Sequence, residues 1–436
     1  MRAMRATQPT SRYTFGDFQL DCRARELRKR GKKLRIQRQP CDVLSLLVAE
    51  AGNVVTRGDL RAALWEKDTH VDFDRGINKT INRLRLLLGD RAGRPRFIET
   101  LPGTGYRFLA PVGRMSTPLR VVTSDVRDAL IKAKHFWNKR TPVDAMRSVE
   151  YFGRAVAMDP ECADAWAGLA EAYVMTGVLG LHPPQHAFPA AKAAAEKALA
   201  LDDEAAEAHT ALGDVHKLYE WDWQHAEGAY RRAIAVDPQY AGAHHWYAQL
   251  LAVLSRDEEA QREIGEARRC APVSVPVTAF VSYVWLEARD YRRAIDAARE
   301  ALEVDSGVPL PYFFLGRACA KRGDYRKAIT ALTQAARLGR HLALFESSLA
   351  YAYARAGQRA KAQRIVERLD GAPIDLALAW VGLGETTAAL NALEHAFAAR
   401  SPRMINLNDP FFSELAGEPR YQRLLAMLAL PARSSD

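Results

Sequence analysis

Cysteine is scarce in this chain of 436 residues. The five cysteines are odd in number and far apart, so no pair has the spacing of a zinc site and no disulfide framework is indicated. We expect reduced cysteines with structural roles at Cys22, Cys41, Cys162, Cys270 and Cys319.

Long apolar runs are absent as well. No stretch of about 18 consecutive apolar residues occurs, which argues against a membrane-spanning helix. Residues 1–10 carry two arginines but lack the apolar segment of a secretion signal. We therefore expect a cytoplasmic protein that makes no membrane contact.

Catalytic and metal-binding motifs are the third absence. Residues 381–387 (VGLGETT) have the glycines of a phosphate loop but no lysine, and Gly384 is interpreted as an ordinary turn between helices. The histidine pairs His182/His186 and His244/His245 have no third ligand nearby in sequence. We expect a protein that is not an enzyme and that has no catalytic residues, no metal and no cofactor.

Positive charge, in contrast, is abundant and unevenly placed. Residues 1–114 hold 24 Lys+Arg and 12 Asp+Glu, whereas the rest of the chain holds 38 and 40. The whole basic excess behind the net charge of +10 therefore lies in the first quarter of the chain. This asymmetry indicates that the N-terminal part binds a polyanion, and a solubilising basic tail is the alternative.

Residues 74–88 predict an amphipathic helix. Ile77, Ile81, Leu84 and Leu88 recur at helical spacing and should be buried. The opposite side carries basic and amide side chains, namely Arg75, Asn78, Lys79, Asn82 and Arg83. Arginine reads guanine edges, asparagine pairs with adenine through two hydrogen bonds, and the major groove of DNA admits one such helix. A solvated helix face without a ligand is the alternative.

The flanking segments complete a recognisable order of elements. Residues 97–108 (FIETLPGTGYRF) predict two strands around a glycine turn. Residues 13–36 alternate and turn like a small antiparallel sheet. Two helices should follow, one from Pro40 to about Ala51 and one from Arg57 to Trp65, capped by Thr56.

This order, together with the segments INRLR at 81–85 and GTGYRF at 103–108, resembles the OmpR/PhoB-type winged-helix effector domain. The resemblance implies that Asn78, Lys79, Asn82 and Arg83 face the major groove of DNA. It makes further residues candidates for contact with the DNA backbone, namely Arg75, Arg85, Thr100, Thr104 and Tyr106. Pro102 stands where some relatives carry a minor-groove arginine. The loop at residues 66–74 corresponds to a segment that often touches RNA polymerase in this family, and no receiver domain is expected before residue 12.

Beyond a short linker the chain repeats with a period of about 34 residues. Small and aromatic residues recur at fixed offsets before Asp-Pro, as in Ala226, Tyr230, Ala233 and Asp237-Pro238. The pattern resembles tetratricopeptide repeats, in which pairs of antiparallel helices stack into a solenoid. We expect seven or eight units, with a loop at residues 176–190 interrupting the second unit and a closing helix in the tail.

Stacked repeats of this kind present an inner groove that takes a peptide, a partner helix or a small ligand. Core packing of the same side chains, and thus a rigid spacer without a ligand, is the alternative. The candidate groove residues are Asp164, Glu171, Asp214, Tyr283, Phe313, Arg317 and Tyr351.

The predicted fold class is an α+β winged helix-turn-helix domain followed by an all-α tetratricopeptide-repeat solenoid. The predicted boundaries are a flexible N-terminus at 1–11, the winged-helix domain at 12–112, a linker at 113–126, the solenoid at 127–400, and a C-terminal capping helix and tail at 401–436.

The layout is similar to that of HilA-type one-component transcriptional regulators. It implies a sequence-specific, nucleoid-associated regulator of promoter DNA, with activation favoured over repression. The helical array would receive a protein or small-ligand signal or mediate pairing into a homodimer or tandem assembly. A repeat-based adaptor or scaffold with a non-specific basic nucleic-acid anchor is the alternative. The sequence does not name the promoter, the signal or the array's partner.

Overall fold

The structure is a computed structural model that describes residues 12–22, 25–30, 32–64, 73–93, 95–115, 123–139, 141–340, 342–369 and 371–431. The chain divides into two compact units at residues 121 and 122, and each unit is described by itself.

The first unit contains two antiparallel sheets and three helices. The strands are β1 Arg12–Phe15, β2 Phe18–Asp21, β3 Glu26–Lys29, β4 Lys32–Leu34, β5 Val54–Thr56, β6 Ile98–Leu101, β7 Gly105–Phe108 and β8 Gly113–Met115. The helices are α1 Arg38–Ala49, α2 Arg57–Leu64 and α3 Phe73–Leu88. One sheet has the order β4-β3-β2-β1-β8 and the other β5-β7-β6. Strand β8 pairs with β1 although its residues were predicted to begin the linker.

Aromatic side chains join the larger sheet to the β6–β7 hairpin. The ring centroids of Phe15 and Phe108 lie 5.0 Å apart at a steep angle, and those of Phe18 and Phe97 lie 5.6 Å apart. All four rings are buried, so edge-to-face packing adds to the hydrophobic stabilisation that their burial supplies.

Asp90 organises the connection between α3 and β6. Its buried carboxylate accepts hydrogen bonds from the amides of Arg91 at 3.0 Å, Arg96 at 2.7 Å and Ile98 at 2.8 Å, and from that of Phe97 at 3.3 Å. The Asp90 side chain thus satisfies four backbone amides and holds the start of strand β6 next to the end of α3.

The second unit is helical. Its helices are α4 Ser124–Lys139, α5 Pro142–Met158, α6 Ala163–Val178, α7 Pro184–Leu201, α8 Ala206–Val215, α9 Trp223–Val236, α10 Ala241–Val253, α11 Asp257–Cys270, α12 Val275–Glu287, α13 Tyr291–Val304, α14 Pro309–Lys321, α15 Tyr325–Leu338, α16 Ala343–Arg355, α17 Arg359–Val366, α18 Pro373–Leu383, α19 Thr386–Ala398 and α20 Pro419–Met427. A π-helical turn at His216–Glu220 continues α8.

Within the described residues, helices α4 to α19 form eight antiparallel pairs, which agrees with the expected seven or eight units. Glycine permits close approach inside a pair, because a Cβ atom on Gly316 would lie 2.5 Å from Leu332 Cγ. Aspartates cap several second helices, as Asp290 does by accepting from the amide of Arg293 at 2.9 Å. The loop predicted at residues 176–190 does interrupt the second pair, but it is shorter and spans residues 179–183, since α6 continues to Val178 and α7 already begins at Pro184.

The C-terminal segment after α19 is mostly not α-helical. Two 3-10 helices, Pro402–Asn406 and Pro410–Leu415, precede the short α20. Across the described part of the chain, no helix is long and apolar enough to span a lipid bilayer.

We predict that Asp90→Ala loosens the hairpin selectively. Hydrogen bonds to a charged acceptor contribute roughly 1.5–3 kcal/mol, and the substitution strands several buried amides. Hydrogen exchange of the Arg96 and Ile98 amides in the full chain should accelerate by about tenfold or more. Asp17→Ala is the matched control, because Asp17 forms only an exposed ion pair with Arg30. Equal protection in both variants would contradict this role.

Candidate nucleic-acid interface and the inner face of the array

Helix α3 has two chemically different sides. Ile77, Ile81, Leu84 and Leu88 are buried against the rest of the first unit. Asn78, Lys79, Asn82 and Arg83 are all exposed and follow one another along the opposite side. These four side chains are the predicted groove-facing residues, and they form a continuous polar surface one helix wide.

Leu86 continues this exposed surface, although no pattern in the sequence singled it out. It lies one helical turn beyond Asn82, and 84% of its side chain is exposed. An apolar side chain in this position could contact a thymine methyl group, which is the apolar feature of the major groove.

Asn78 is held in place by a small network at one end of the surface. Its Oδ1 atom accepts from Tyr106 Oη at 2.7 Å and from Arg57 Nη2 at 3.2 Å, and the same guanidinium also donates to Tyr106 Oη at 3.2 Å. The Tyr106 side chain is only 2% exposed, so the prediction that it contacts the DNA backbone is corrected: it positions Asn78 instead. Sequence reasoning missed Arg57, because its partners lie 21 and 49 residues away.

Arg85 is the second correction among the predicted backbone contacts. Its side chain is 8% exposed, and Nη2 donates to the carbonyl oxygen of Ile98 at 2.9 Å and to Thr100 Oγ1 at 2.8 Å. The helical position of Arg85 faces strand β6 rather than solvent. This guanidinium therefore ties α3 to the hairpin and is not available to a phosphate.

The β6–β7 hairpin ends in an exposed tip. Thr100, Pro102 and Thr104 are exposed, and the carbonyl oxygen of Thr104 accepts from the amide of Arg57 at 3.3 Å. Gly103 adopts a positive φ of 72°, and a Cβ atom on Gly105 would lie 2.1 Å from the Val55 carbonyl oxygen. Glycine is thus required at both positions for the hairpin to turn and to pack on β5.

Two predicted contacts fall outside what the structure describes. The side chain of Arg75 is not among the described groups, and neither are residues 65–72, which contain most of the loop predicted at 66–74.

The candidate groove residues of the array separate into three groups. Five of them line one cavity of about 630 Å³, namely Glu171, Asp214, Tyr283, Phe313 and Arg317. Asp164 lies in the first turn of α6 and does not line it. Tyr351 also does not line the cavity, and its hydroxyl donates to Glu414 in the C-terminal segment at 3.2 Å.

Three groove residues occupy equivalent repeat positions and bind the chain's own C-terminal segment. Tyr283, Arg317 and Tyr351 are each one repeat length apart, on the first helices of successive pairs. Tyr283 Oη donates to Asn406 Oδ1 at 3.4 Å, Arg317 forms a buried ion pair with Asp409, and Tyr351 reaches Glu414. We define the inner face as the side of the first helices that carries these positions.

The C-terminal segment runs along the inner face and does more than cap the last repeat. Asn408 Nδ2 donates to the carbonyl oxygen of Val253 on α10, and Trp223 Nε1 on α9 donates to that of Leu428, both at 2.8 Å. Between residues 402 and 415 of this segment, six large apolar side chains are buried, namely Met404, Ile405, Leu407, Phe411, Phe412 and Leu415. The predicted capping tail is therefore corrected to an internal segment, and the groove is not open to a peptide along this stretch.

Asp214 also bonds to other side chains of the array. It accepts from Tyr230 Oη at 2.5 Å and pairs with Lys217 Nζ at 2.9 Å, and Nζ also donates to Gln249 Oε1 at 2.8 Å. Lys217 is fully buried on the π-helical turn, and burial lowers its pKa while the Asp214 charge opposes that effect. Burial likewise raises the pKa of Tyr230, and Asp214 adds to it.

Comparison with known families identifies both units. Residues 31–108 match the family described as "Transcriptional regulatory protein, C terminal", and residues 144–179 and 286–345 match the family described as "Tetratricopeptide repeat". The chain therefore joins an OmpR/PhoB-type winged-helix domain, the DNA-binding domain of a family of transcriptional regulators, to a tetratricopeptide array. The predicted fold class and the resemblance are confirmed.

Curated relatives are similar to this chain over about 100 residues. "Transcriptional regulator HilA" of Salmonella typhimurium is 35% identical over 107 residues, which cover 24% of this chain and 19% of that protein. "Probable transcriptional regulator ycf27" of Porphyra purpurea is 32% identical over 97 residues, covering 22% and 40%. The chain thus spans less than half of the length of these relatives.

Solved structures give likenesses to each unit. The RstA DNA-binding domain of Klebsiella pneumoniae, solved in complex with the RstA box, is 29% identical with a TM-score of 0.21, covering 22% of this chain and 96% of that one. The Cut9–Hcn1 hetero-tetramer of the APC/C is 16% identical with a TM-score of 0.49, covering 71% and 57%. Because both TM-scores are low, the assignment of the two units rests on the family matches.

We predict that Arg85→Ala and Arg83→Ala differ in stability. Arg85→Ala removes a buried tie and leaves the Ile98 carbonyl oxygen without this donor, which should cost about 1–3 kcal/mol. Arg83→Ala changes an exposed side chain and should alter the unfolding free energy by less than about 0.5 kcal/mol. Denaturant unfolding of both variants, followed by hydrogen exchange in the hairpin, distinguishes them. Equal stability would show that the Arg85 contacts are dispensable.

The C-terminal segment yields a separate prediction. Asp409→Ala should destabilise the array by about 3–5 kcal/mol, because it leaves the charge of Arg317 buried without its partner. The double variant Arg317→Met, Asp409→Leu should recover much of this loss, since both charges are then gone. Thermal unfolding measures the three proteins side by side. A double variant as unstable as Asp409→Ala would argue against the ion pair as the cause.

Proposed function

We propose that this chain is a regulator of transcription that recognises promoter DNA with α3 in the major groove. The observation that carries the proposal is the division of α3 into a buried aliphatic side and an exposed surface of Asn78, Lys79, Asn82 and Arg83. A helix of this kind fits the major groove, and amide and guanidinium groups hydrogen-bond to base edges there. The basic excess of the first quarter of the chain supports the same target.

The two asparagines on this surface have different roles in the proposal. Asn78 accepts hydrogen bonds from Arg57 and Tyr106 through its Oδ1 atom, so Nδ2 is the group that we expect to donate to a base or a phosphate. Asn82 is exposed one turn further on and can offer both its donor and its acceptor to adenine. Arg83 is the candidate for guanine, and Lys79 supplies a phosphate contact.

In this proposal the β6–β7 hairpin helps to position the domain on the DNA backbone. Thr100 and Thr104 present hydroxyl groups at the exposed tip, where they can hydrogen-bond to phosphate oxygens. Pro102 offers neither a charge nor a backbone donor, so we infer no minor-groove reading by an arginine at this position.

Contact of residues 66–74 with RNA polymerase, and hence activation, rests on the family resemblance alone. Pairing into a homodimer or tandem assembly has the same status, since DNA binders of this size often read two half-sites. A promoter assay in which substitutions at 66–74 leave output unchanged would remove the polymerase contact, and sedimentation on a selected duplex measures the stoichiometry.

The alternative function is a tetratricopeptide adaptor with a non-specific basic anchor. The two hypotheses differ in the ratio of specific to non-specific affinity, because an adaptor would show no preference for one duplex. Selection of duplexes from a random-sequence library by the full chain measures this ratio directly. A selected pool without sequence preference would favour the adaptor.

We predict that Asn82→Ala and Arg83→Ala each weaken binding to the selected duplex by about 1–3 kcal/mol and relax preference at one base position. Lys79→Ala should weaken binding to all duplexes alike and lower the slope of log K against log salt by about 1. Gel-shift competition against scrambled duplex at several salt concentrations separates the two effects.

Arg30→Ala is the matched control for these variants, because Arg30 is an exposed arginine just after β3 and outside α3. Its affinity should equal that of the parent chain. Undiminished preference in both Asn82→Ala and Arg83→Ala would overturn the assignment of α3.

A further inference from the structure

The array has a partly open cavity between its inner face and the C-terminal segment. The cavity has a volume of about 630 Å³, which lies within the range of small-molecule sites. Every first helix from α4 to α18 contributes to its wall, from Trp137 to Leu378. The connection between α6 and α7 and residues 399–412 supply further parts of the wall. The cavity therefore draws its lining from all eight helix pairs.

The wall carries an aromatic ladder built by the repeat. Trp246, Phe280 and Phe314 are each one repeat length apart and occupy equivalent positions on α10, α12 and α14. The ring centroid of Phe280 lies 5.7 Å from that of Trp246 and 5.4 Å from that of Phe314, and both contacts are edge-to-face. Phe412 of the C-terminal segment also lines the cavity. The wall therefore offers ring faces and edges to a planar apolar molecule.

Three carboxylates of the wall are paired with basic groups of the protein. Asp375 pairs with Arg403, Asp409 with Arg317, and Asp214 with Lys217. Glu171 accepts from Tyr240 Oη at 2.6 Å and adds a further carboxylate to the wall. An anionic ligand would lose its hydration here without gaining an uncompensated positive charge, which disfavours anions relative to neutral molecules.

Displacement of the C-terminal segment by a peptide is the competing way to use this face. Release of residues 402–415 would expose their six buried large apolar side chains to water and would leave the buried charge of Arg317 without Asp409. A loss of that size is comparable with the whole stability of a typical domain. The segment therefore belongs to the folded array, and the space left beside it takes a small occupant.

We propose that this cavity binds a neutral small molecule with a planar, largely apolar body, and that it is the site where the array receives a signal. The inference deepens the array's part in the proposed function and rests on that function for the meaning of the signal. The binding itself does not depend on the residues of α3.

Binding of Nile red, a neutral planar dye whose emission rises in apolar surroundings, tests the proposal on the full chain. We expect saturable binding of one dye per chain with a dissociation constant in the micromolar range. The anionic dye 8-anilinonaphthalene-1-sulfonate should bind at least tenfold more weakly. Tighter binding of the anionic dye, or no saturable binding of Nile red, would overturn the proposal.

Cavity-filling variants locate the dye. Ala343 lines the cavity at the start of α16, so Ala343→Trp should weaken Nile red binding at least tenfold. Ala157→Trp is the matched control, because Ala157 is exposed on α5 and does not line the cavity. Ala372→Phe, at the N-cap of α18, is the second filling variant if the first does not fold. Equal dye affinity in a folded filling variant and the control would place the dye elsewhere and refute the site.

Duplex selectivity measured on the same preparations separates this inference from the proposed function. Loss of dye binding with intact preference for the selected duplex refutes the cavity site alone. Absence of duplex preference beside saturable, variant-sensitive dye binding refutes DNA recognition and leaves the cavity site standing.

Discussion

In each unit, the side chain of one buried arginine bonds to a different structural element and helps to hold that element in place. In the first unit Arg85 connects α3 to strand β6, and in the second Arg317 connects α14 to Asp409, 92 residues later. A buried guanidinium is costly unless it is hydrogen-bonded or paired with an opposite charge, so each arginine favours the observed position of its partner segment. The hairpin beside α3 and the segment inside the array are both placed in this way. The two arginines therefore lie next to the two surfaces to which we assign function, namely the exposed side of α3 and the cavity of the array.

The proposed binding surfaces are those that the packing of the hydrophobic core leaves accessible. On α3 the aliphatic side is used by the core, and the polar side remains for a nucleic acid. In the array, the repeat position of Arg317 holds the C-terminal segment, and the position of Phe314, almost one helical turn earlier, supplies aromatic rings to the cavity wall. Equivalent positions of successive repeats lie in a row along the array, so similar residues at one repeat position form a row of contacts. The same geometry that stabilises the solenoid therefore also builds the wall of a binding site.

The local patterns predicted well wherever the outcome depended on neighbours within a few turns. The helix at 74–88, the hairpin at 97–108 and the stacked helix pairs follow from periodicity, glycine turns and small residues, which act over short sequence distances. Predictions of individual contacts fared differently. Arg85 and Tyr106 were expected to contact DNA because of the family resemblance, yet both side chains are buried by elements that the local pattern does not place.

Helical and strand periodicities are local properties of the chain, so the order of residues alone was enough to predict which elements form and which of their sides are apolar. The charge contrast between the two parts was equally visible, since composition needs no fold. Long-range packing, in contrast, established that Arg57 and Tyr106 hold Asn78, that the segment 402–415 lies against the inner face, and that a cavity remains beside it. These features join residues separated by 21 to as many as 155 positions, and such pairings are fixed by packing complementarity and buried charge compensation rather than by any repeat in the sequence.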